Sequence, residues 1–378
     1  MLQRGFFRSS KVFQPNDGFM LCIEMSIVER EALIRNIEKT RGSRVICLLT
    51  SLRPNVPAII AEDMVRQIFD QLLLFRKEEK EKLPKIDVFL VSNGGSGVVP
   101  WRIVSLLREY SKELGVLIPY RAYSAASLLA LGADEIVMHP FGELGPIDPT
   151  VSNEYNPKDD ITRQRIGISV EDVTAYVNFI KETVGITHED ELIKAIELLA
   201  DKVHPLALGN VERFISQSRM IAKKILKTHM KSDDERIIDD IIENMASKLY
   251  FHGHPINRVE AKNDLKLKIA NSLPAGLEGD IWALYEDFEK EFDNKSIFDP
   301  AGDLAKDEKE MTSNKIEPLN EKKYEVLHAI VESTQLSCKF TTLRRYRLFR
   351  FITQQGVQSM IQEDILQQGW SCSPVAGA

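Results

Sequence analysis

The sequence predicts an α/β protein with a mainly parallel sheet. Two observations carry this. From residue 25 onward, short apolar runs alternate with stretches whose apolar residues recur at helical intervals. The runs are continuously apolar, as in strands covered on both faces. At 378 residues with 43% hydrophobic content, the chain is long enough for a large core and appendages. Its 28% charged residues, 20 Gly and 16 Pro exclude collagen-like, low-complexity and wholly disordered classes.

Met25 to Lys39 has helical spacing, and Thr40-Arg41-Gly42 stops it before the apolar run Ser43 to Thr50, predicting helix and then buried strand. Ala61 to Lys82 is a second amphipathic helix, followed past Leu83-Pro84 by a strand over Ile86 to Ser92. After Asn93-Gly94-Gly95-Ser96-Gly97 come a helix near Trp101 to Leu114, a strand-like Val116 to Tyr123, a helix from Ala125, and a short strand Glu135 to His139. Helical character resumes over Ser169 to Lys181, where Ser169 has a capping position, and over His188 to Asp201, Pro205 to Thr228, Asp233 to Leu249 and Asn257 to Lys262. The spacing divides the chain into an N-terminal extension (1–24), a main domain (25–298), a charged aperiodic linker or mobile loop (299–320) and a helical C-terminal segment (321–378) with a frayed end. No internal repeat is present.

Acidic residues outnumber basic ones, 56 to 49, giving no blanket attraction to nucleic acid or anionic lipid. The apolar run Ala125 to Ala133 falls far short of the roughly 20 residues a spanning helix needs. Polar residues interrupt the N-terminus before a secretory core forms, and Cys22, Cys47, Cys338 and Cys372 lack paired spacing. The expectation is free thiols in a reducing cytoplasm. His252 and His254 form an H-x-H pair with no third ligand at a recognised spacing, so no metal is expected. Arg344, Arg345, Arg347 and Arg350, interleaved with Tyr346 and Phe349, are expected to form a solvated face or to partner the acidic linker rather than to grip phosphate or RNA.

The chemistry-bearing segments follow two successive strands. Ser92 to Gly97 leaves glycine amides uncovered at a strand's carboxyl end, where they can hold an oxyanion or simply make a tight turn. It lacks both the GxxxxGK[ST] lysine and the GxGxxG spacing, which argues against nucleotide binding. Ala122-Tyr123-Ser124-Ala125-Ala126-Ser127 turns a strand into a helix among small residues, so Ser124 is either a helix cap or a nucleophile at a helix N-terminus. Thirty positions, one crossover, separate Gly94 from Ser124, so adjacent parallel strands would set the two segments side by side.

NGGSG followed by YSAASLLALGADEIVMHPFGELGPIDP resembles the serine dehydrogenase proteinase family, distant relatives of signal peptide peptidase A and the Clp protease proteolytic subunit within the Clp/crotonase superfamily. EREALIRNIEKTRGSRVICLLTS, DKVHPLALGNVERFISQSRMIAKKIL, HGHPINRVEAKNDLKLKI and YEVLHAIVEST extend the likeness over about residues 25 to 335. The resemblance implies a spiral of ββα units, a homo-oligomer assembled through flanking helices, and a cofactor-free peptidase acting on peptide or protein. By position it implies Ser124 as nucleophile, Gly94 or Gly95 and the Ala125 amide as oxyanion donors, Asp148 as acid and His204 as base. His139 is an alternative base and Ser127 an alternative nucleophile. Ala126 and Ser127 stand where many relatives carry Gly and Thr. The lysine of the Ser/Lys relatives is missing from GISVEDV, leaving Lys158, Lys181 and Lys202. The alternative is an inactive scaffold of the same fold; an acyl-CoA enzyme of crotonase type ranks below both.

Overall fold

The computed structural model describes residues 17–78, 81–147, 150–151, 154–159, 165–248, 254–306, 320–353 and 356–375. Its strands are β1 (Arg44–Thr50), β2 (Leu83–Val91), β3 (Ser111–Ile118), β4 (Arg121–Ala122), β5 (Glu135–Met138), β6 (Glu143–Leu144), β7 (Thr150–Val151), β8 (Ile168–Ser169), β9 (Ile256–Asn257), β10 (Asn320–Glu332), β11 (Leu336–Thr353) and β12 (Gly356–Pro374). The helices are α1 (Asp17–Arg41), α2 (Met64–Glu78), α3 (Val99–Tyr110), α4 (Ala125–Ala130), α5 (Val170–Asn178), α6 (Glu189–Lys202), α7 (Pro205–Leu226), α8 (Glu235–Glu243), α9 (Arg258–Asn263), α10 (Leu277–Glu291) and α11 (Pro300–Lys306).

A seven-stranded sheet in the order β12-β11-β10-β1-β2-β3-β5 organises the chain. β1, β2, β3 and β5 pair in parallel, whereas β10, β11 and β12 are added antiparallel beyond β1. Burial explains the continuous apolar runs. Ile46, Leu48, Val88 and Leu90 face a core shared with α2, α3, α4, α7 and α8. Val45, Cys47, Leu49, Phe89 and Val91 face a second core under α1 and α10. With both faces covered, nearly every position of these strands is apolar, and the buried exception in β2, Asp87, is paired with Arg41 at 2.8 Å.

The C-terminal segment corrects the sequence reading: residues 320–332, 336–353 and 356–374 are long antiparallel strands, not helices. Tyr324, Leu327, Ile330 and Val331 fit a helical stripe, yet β10 alternates more and less covered positions until both faces close over at His328 to Glu332. The β-branched and aromatic content of β11 suits a pleated surface. Strand pairing also sets Cys338 opposite Cys372, with Cα atoms 4.1 Å apart, and the two form a disulfide. The expectation of free thiols is thereby overturned for this pair, because 34 positions of sequence separation hide a direct cross-strand contact. Cys47 is free and buried.

Of the expected linker, residues 300–306 are the helix α11, and 307–319 lie outside the described residues. No element is predicted over α10, although Leu277, Ile281, Leu284, Tyr285 and Phe288 recur at helical intervals and all are buried. The β11 arginines are taken up by β12: Arg344 pairs with Glu363 at 2.8 Å, and Arg345 and Arg347 with Asp364 at 3.0 and 2.8 Å. Arg350 donates to Ser359 Oγ at 3.2 Å. Among the described residues no helix is long and apolar enough to cross a membrane.

Candidate active site

Ser124 stands between β4 and α4 with φ 53° and ψ −114°, a left-handed backbone that a residue with a β-carbon rarely adopts. The chain must reverse from strand to helix in one residue, and this strained conformation makes the reversal. The side chain is half-buried, and no hydrogen bond joins Ser124 Oγ to another described residue. The cap position expected of Ser124 is therefore occupied without a side-chain cap.

The glycine turn lies against this serine. A β-carbon on Gly94, where φ is +109°, would sit 2.7 Å from Ser124 Cβ and 3.2 Å from its Oγ, so only glycine admits the approach. On Gly95 it would fall within the backbone of Ile60. The Gly94 amide already donates to Ser92 Oγ at 3.0 Å. Ile60 donates to the Gly94 carbonyl at 2.8 Å and accepts from Ser96 at 2.9 Å. Flanked by those two bonds, the Gly95 N–H points away from Ile60. It has no acceptor among the described residues, nor has the Ala125 amide at the first position of α4.

Backbone bonds fix the two segments to each other. Ser92 donates to the Arg121 carbonyl at 2.8 Å and accepts from the Tyr123 amide at 2.9 Å. Ala126 fits the bend, its amide donating to the Tyr123 carbonyl at 2.9 Å. Ser127 is fully buried. Its hydroxyl reaches the carbonyls of Ala122 and Gly145, both at 2.7 Å, and accepts from the Gly145 amide. It is a pin between α4 and the chain after β6, which removes it as a nucleophile.

The remaining sequence candidates are dispersed. Asp148 lies outside the described residues; its neighbour Ile147 is held by Ser218 Oγ at 2.8 Å and by the Met245 carbonyl at 3.1 Å. His204 caps α7, accepting the Leu206 amide on Nδ1 at 3.2 Å, and stacks on Tyr155 at 5.1 Å. It is exposed, and at about 1.5 Å per residue it stands about 21 Å along α7 from Ser218. No contact between His204 and Ser124 is present. His139 accepts the Phe141 amide on Nδ1 and stacks on Trp282 at 4.9 Å, and burial lowers its pKa. Lys158, Lys181 and Lys202 are all exposed, without the desolvation that makes a lysine a neutral base. His252 lies outside the described residues, and His254 Nε2 bonds Glu260 at 2.9 Å. Among the described residues no group of three or more His, Cys, Asp or Glu is placed to hold a metal.

Sequence reasoning gave no role to Thr50 and Ile60, which shape the site from a strand end and a loop, or to Ser218 of α7, which holds the Ile147 carbonyl. Beside it, Arg121 pairs with Glu143 at 2.9 Å and lies over the Tyr123 ring at 5.3 Å. Burial and Glu143 push the Tyr123 phenol well above its usual range.

A mixed α/β sheet whose strand ends bring a glycine turn against a strained serine is consistent with a ClpP-like fold. Residues 19–204 match the family described as ClpP-like SDH-type serine proteinase. It is 35% identical over 132 residues to the uncharacterized protein MJ1495 of Methanocaldococcus jannaschii, a match covering 33% of this chain and 43% of that protein. It is 29% identical over 135 residues to MJ0137 of the same organism, covering 34% and 45%. The chain thus spans less than half the length of the curated relatives it matches. Among solved structures, a mutant of the 1510-N membrane-bound stomatin-specific protease aligns with a TM-score of 0.33 and 13% identity, over 61% of this chain and 81% of that one.

Proposed function

We propose that this protein is a serine peptidase that cleaves peptide bonds through an acyl-enzyme on Ser124. One observation carries the reading: a half-buried serine held at φ 53° with a glycine pressed against its Cβ. Such strain needs a compensating reason, and presenting a hydroxyl at a strand-to-helix turn beside free backbone amides supplies it. The amides of Gly95 and Ala125 would hold the tetrahedral oxyanion, each commonly contributing a factor of roughly 10²–10³ in rate. Gly94 serves by its absent side chain, since its own amide is engaged by Ser92. The proton of Ser124 would pass to a histidine oriented by Asp148. His204 is the positional match, and a rearrangement or a neighbouring copy would have to bring it in. The ββα spiral and the homo-oligomer belong to this reading. Support for assembly comes from α5 to α6, where Phe179, Val184, Ile193, Ile196 and Leu198 are each at least half exposed.

A second reading, an inactive scaffold of the same fold, is favoured by the absence of any described base in contact with Ser124. A fluorophosphonate probe separates them. The peptidase predicts one adduct on the full-length chain, located at Ser124 by peptide mass and lost in Ser124→Ala. A folded protein that stays unlabelled and cleaves no peptide removes the peptidase reading.

A further inference from the structure

We propose that Thr50 and Ser92 form a buried hydroxyl relay that positions the glycine turn, so that the Gly95 amide faces the oxygen developing at Ser124. The role rests on Ser124 being the nucleophile. Both side chains are essentially inaccessible, at 1% and 0% exposure, in a part of the sheet otherwise filled by aliphatic residues. Thr50 ends β1, and Ser92 directly follows β2. Two hydroxyls at such positions cost stability unless each is hydrogen-bonded.

Thr50 gives its one proton to Ser92, and Ser92 is bonded to capacity. Thr50 Oγ1 donates to Ser92 Oγ at 2.8 Å, the Gly94 amide donates to the same Oγ at 3.0 Å, and Ser92 Oγ donates to the Gly94 carbonyl at 3.3 Å. One donated and two accepted bonds complete the capacity of a hydroxyl. Thr50 thereby fixes the rotor of Ser92, and Ser92 holds the peptide unit ahead of Gly95. On the far side, Ile60 grips Gly94 and Ser96 and leaves the Gly95 N–H directed away from it. The backbone of Ser92 also brackets Arg121 and Tyr123, so one residue sets the register between the oxyanion turn and the approach to the nucleophile. Nothing in the relay touches substrate; Thr50 and Ser92 are positioning residues.

The test measures second-order labelling of Ser124 by a fluorophosphonate on the full-length chain, with Thr50→Val, Thr50→Ser and Ser92→Ala. Thr50→Val keeps the volume and removes the hydroxyl, whereas Thr50→Ser keeps the hydroxyl. Displacing a donor by a fraction of an ångström predicts labelling slower by about ten- to a hundredfold in Ser92→Ala and by several-fold in Thr50→Val, with Thr50→Ser near wild type. Affinity for a peptide boronate, which forms a tetrahedral adduct, should fall in parallel, while KM for a peptide stays unchanged. A purely structural role would instead lower the labelled fraction and leave the rate constant of the folded remainder intact, which would overturn the relay. If Ser92→Ala does not fold, the two Thr50 variants decide. Wild-type labelling with unchanged variants removes the relay alone; no wild-type labelling removes the relay and the peptidase reading together.

Discussion

At the scale of single residues the site is governed by backbone conformation. Ser124 holds a left-handed conformation that costs of order 1–3 kcal/mol for a residue with a β-carbon. Ser124→Gly relieves it at the cost of a more flexible unfolded chain, so the variant should gain about 1 kcal/mol in urea denaturation while losing the fluorophosphonate adduct. An unchanged or lower stability would show that the turn is not strained. The glycine turn and Ser124 were legible in the sequence because glycines after one apolar run and a small-residue turn after the next are local patterns. His204 before Pro205 could be read as a base or as the cap of α7; the structure shows the cap, and spacing along the chain does not separate the two. Thr50 gave no signal, because a threonine closing an apolar strand looks like any other.

At the scale of elements, buried charge fastens the antiparallel strands and helices to the parallel core. Arg30, 1% exposed on α1, reaches Asp287, Glu291 and Glu332, which belong to α10 and β10, and lies 4.2 Å over the Phe288 ring. Arg30→Ala removes the cation these three carboxylates share, with Lys339 still beside Glu291 and Ser337 Oγ still donating to Glu332, and should destabilise the fold by about 3 kcal/mol in chemical denaturation.

His229 plays a different part. Its Nε2 donates to the Leu131 carbonyl at the C-terminal end of α4, at 2.9 Å, while Nδ1 is buried without a partner among the described residues. Burial lowers its pKa from the ordinary 6.5, so the unfolded chain binds the proton more readily than the folded one. Stability must therefore rise with pH through the window below about 6.5 and be lost as pH falls through it. His139 and His328, also lowered by burial, act in the same direction. His229→Gln preserves a donor to Leu131 and does not titrate; it should flatten the fall in melting temperature between about pH 7 and 5. An unaltered slope would assign the effect elsewhere.

The β1 to β5 half was readable because burial on both faces makes its strands apolar at nearly every position. β10 was misread because its apolar spacing satisfies two periods at once, and the pairing with β11 and β1 on either side selects the extended one.

At the scale of the whole molecule, the disulfide is the one covalent constraint described. It joins residues 34 positions apart near the ends of β11 and β12, and Cys372 also contacts Gln67 of α2 at 3.3 Å. In a chain-entropy account, Cys338→Ser with Cys372→Ser should cost about 2–4 kcal/mol. The wild type treated with dithiothreitol should reproduce that loss in denaturant, and equal curves with and without reductant would show that the pairing of the strands alone suffices. Residues 307–319 separate the helical layers from these last strands in sequence, so the largest correction to the sequence reading falls where the fold is most non-local.

The order of the sheet has a consequence for synthesis. β1 sits at its centre, yet one of its two neighbours, β10, is encoded more than 250 residues later. Until the ribosome has passed that point, a nascent chain presents Cys47 to Thr50 as a bare, apolar edge, open to any extended segment in the cell. A chain halted before residue 320 would be left in that state permanently.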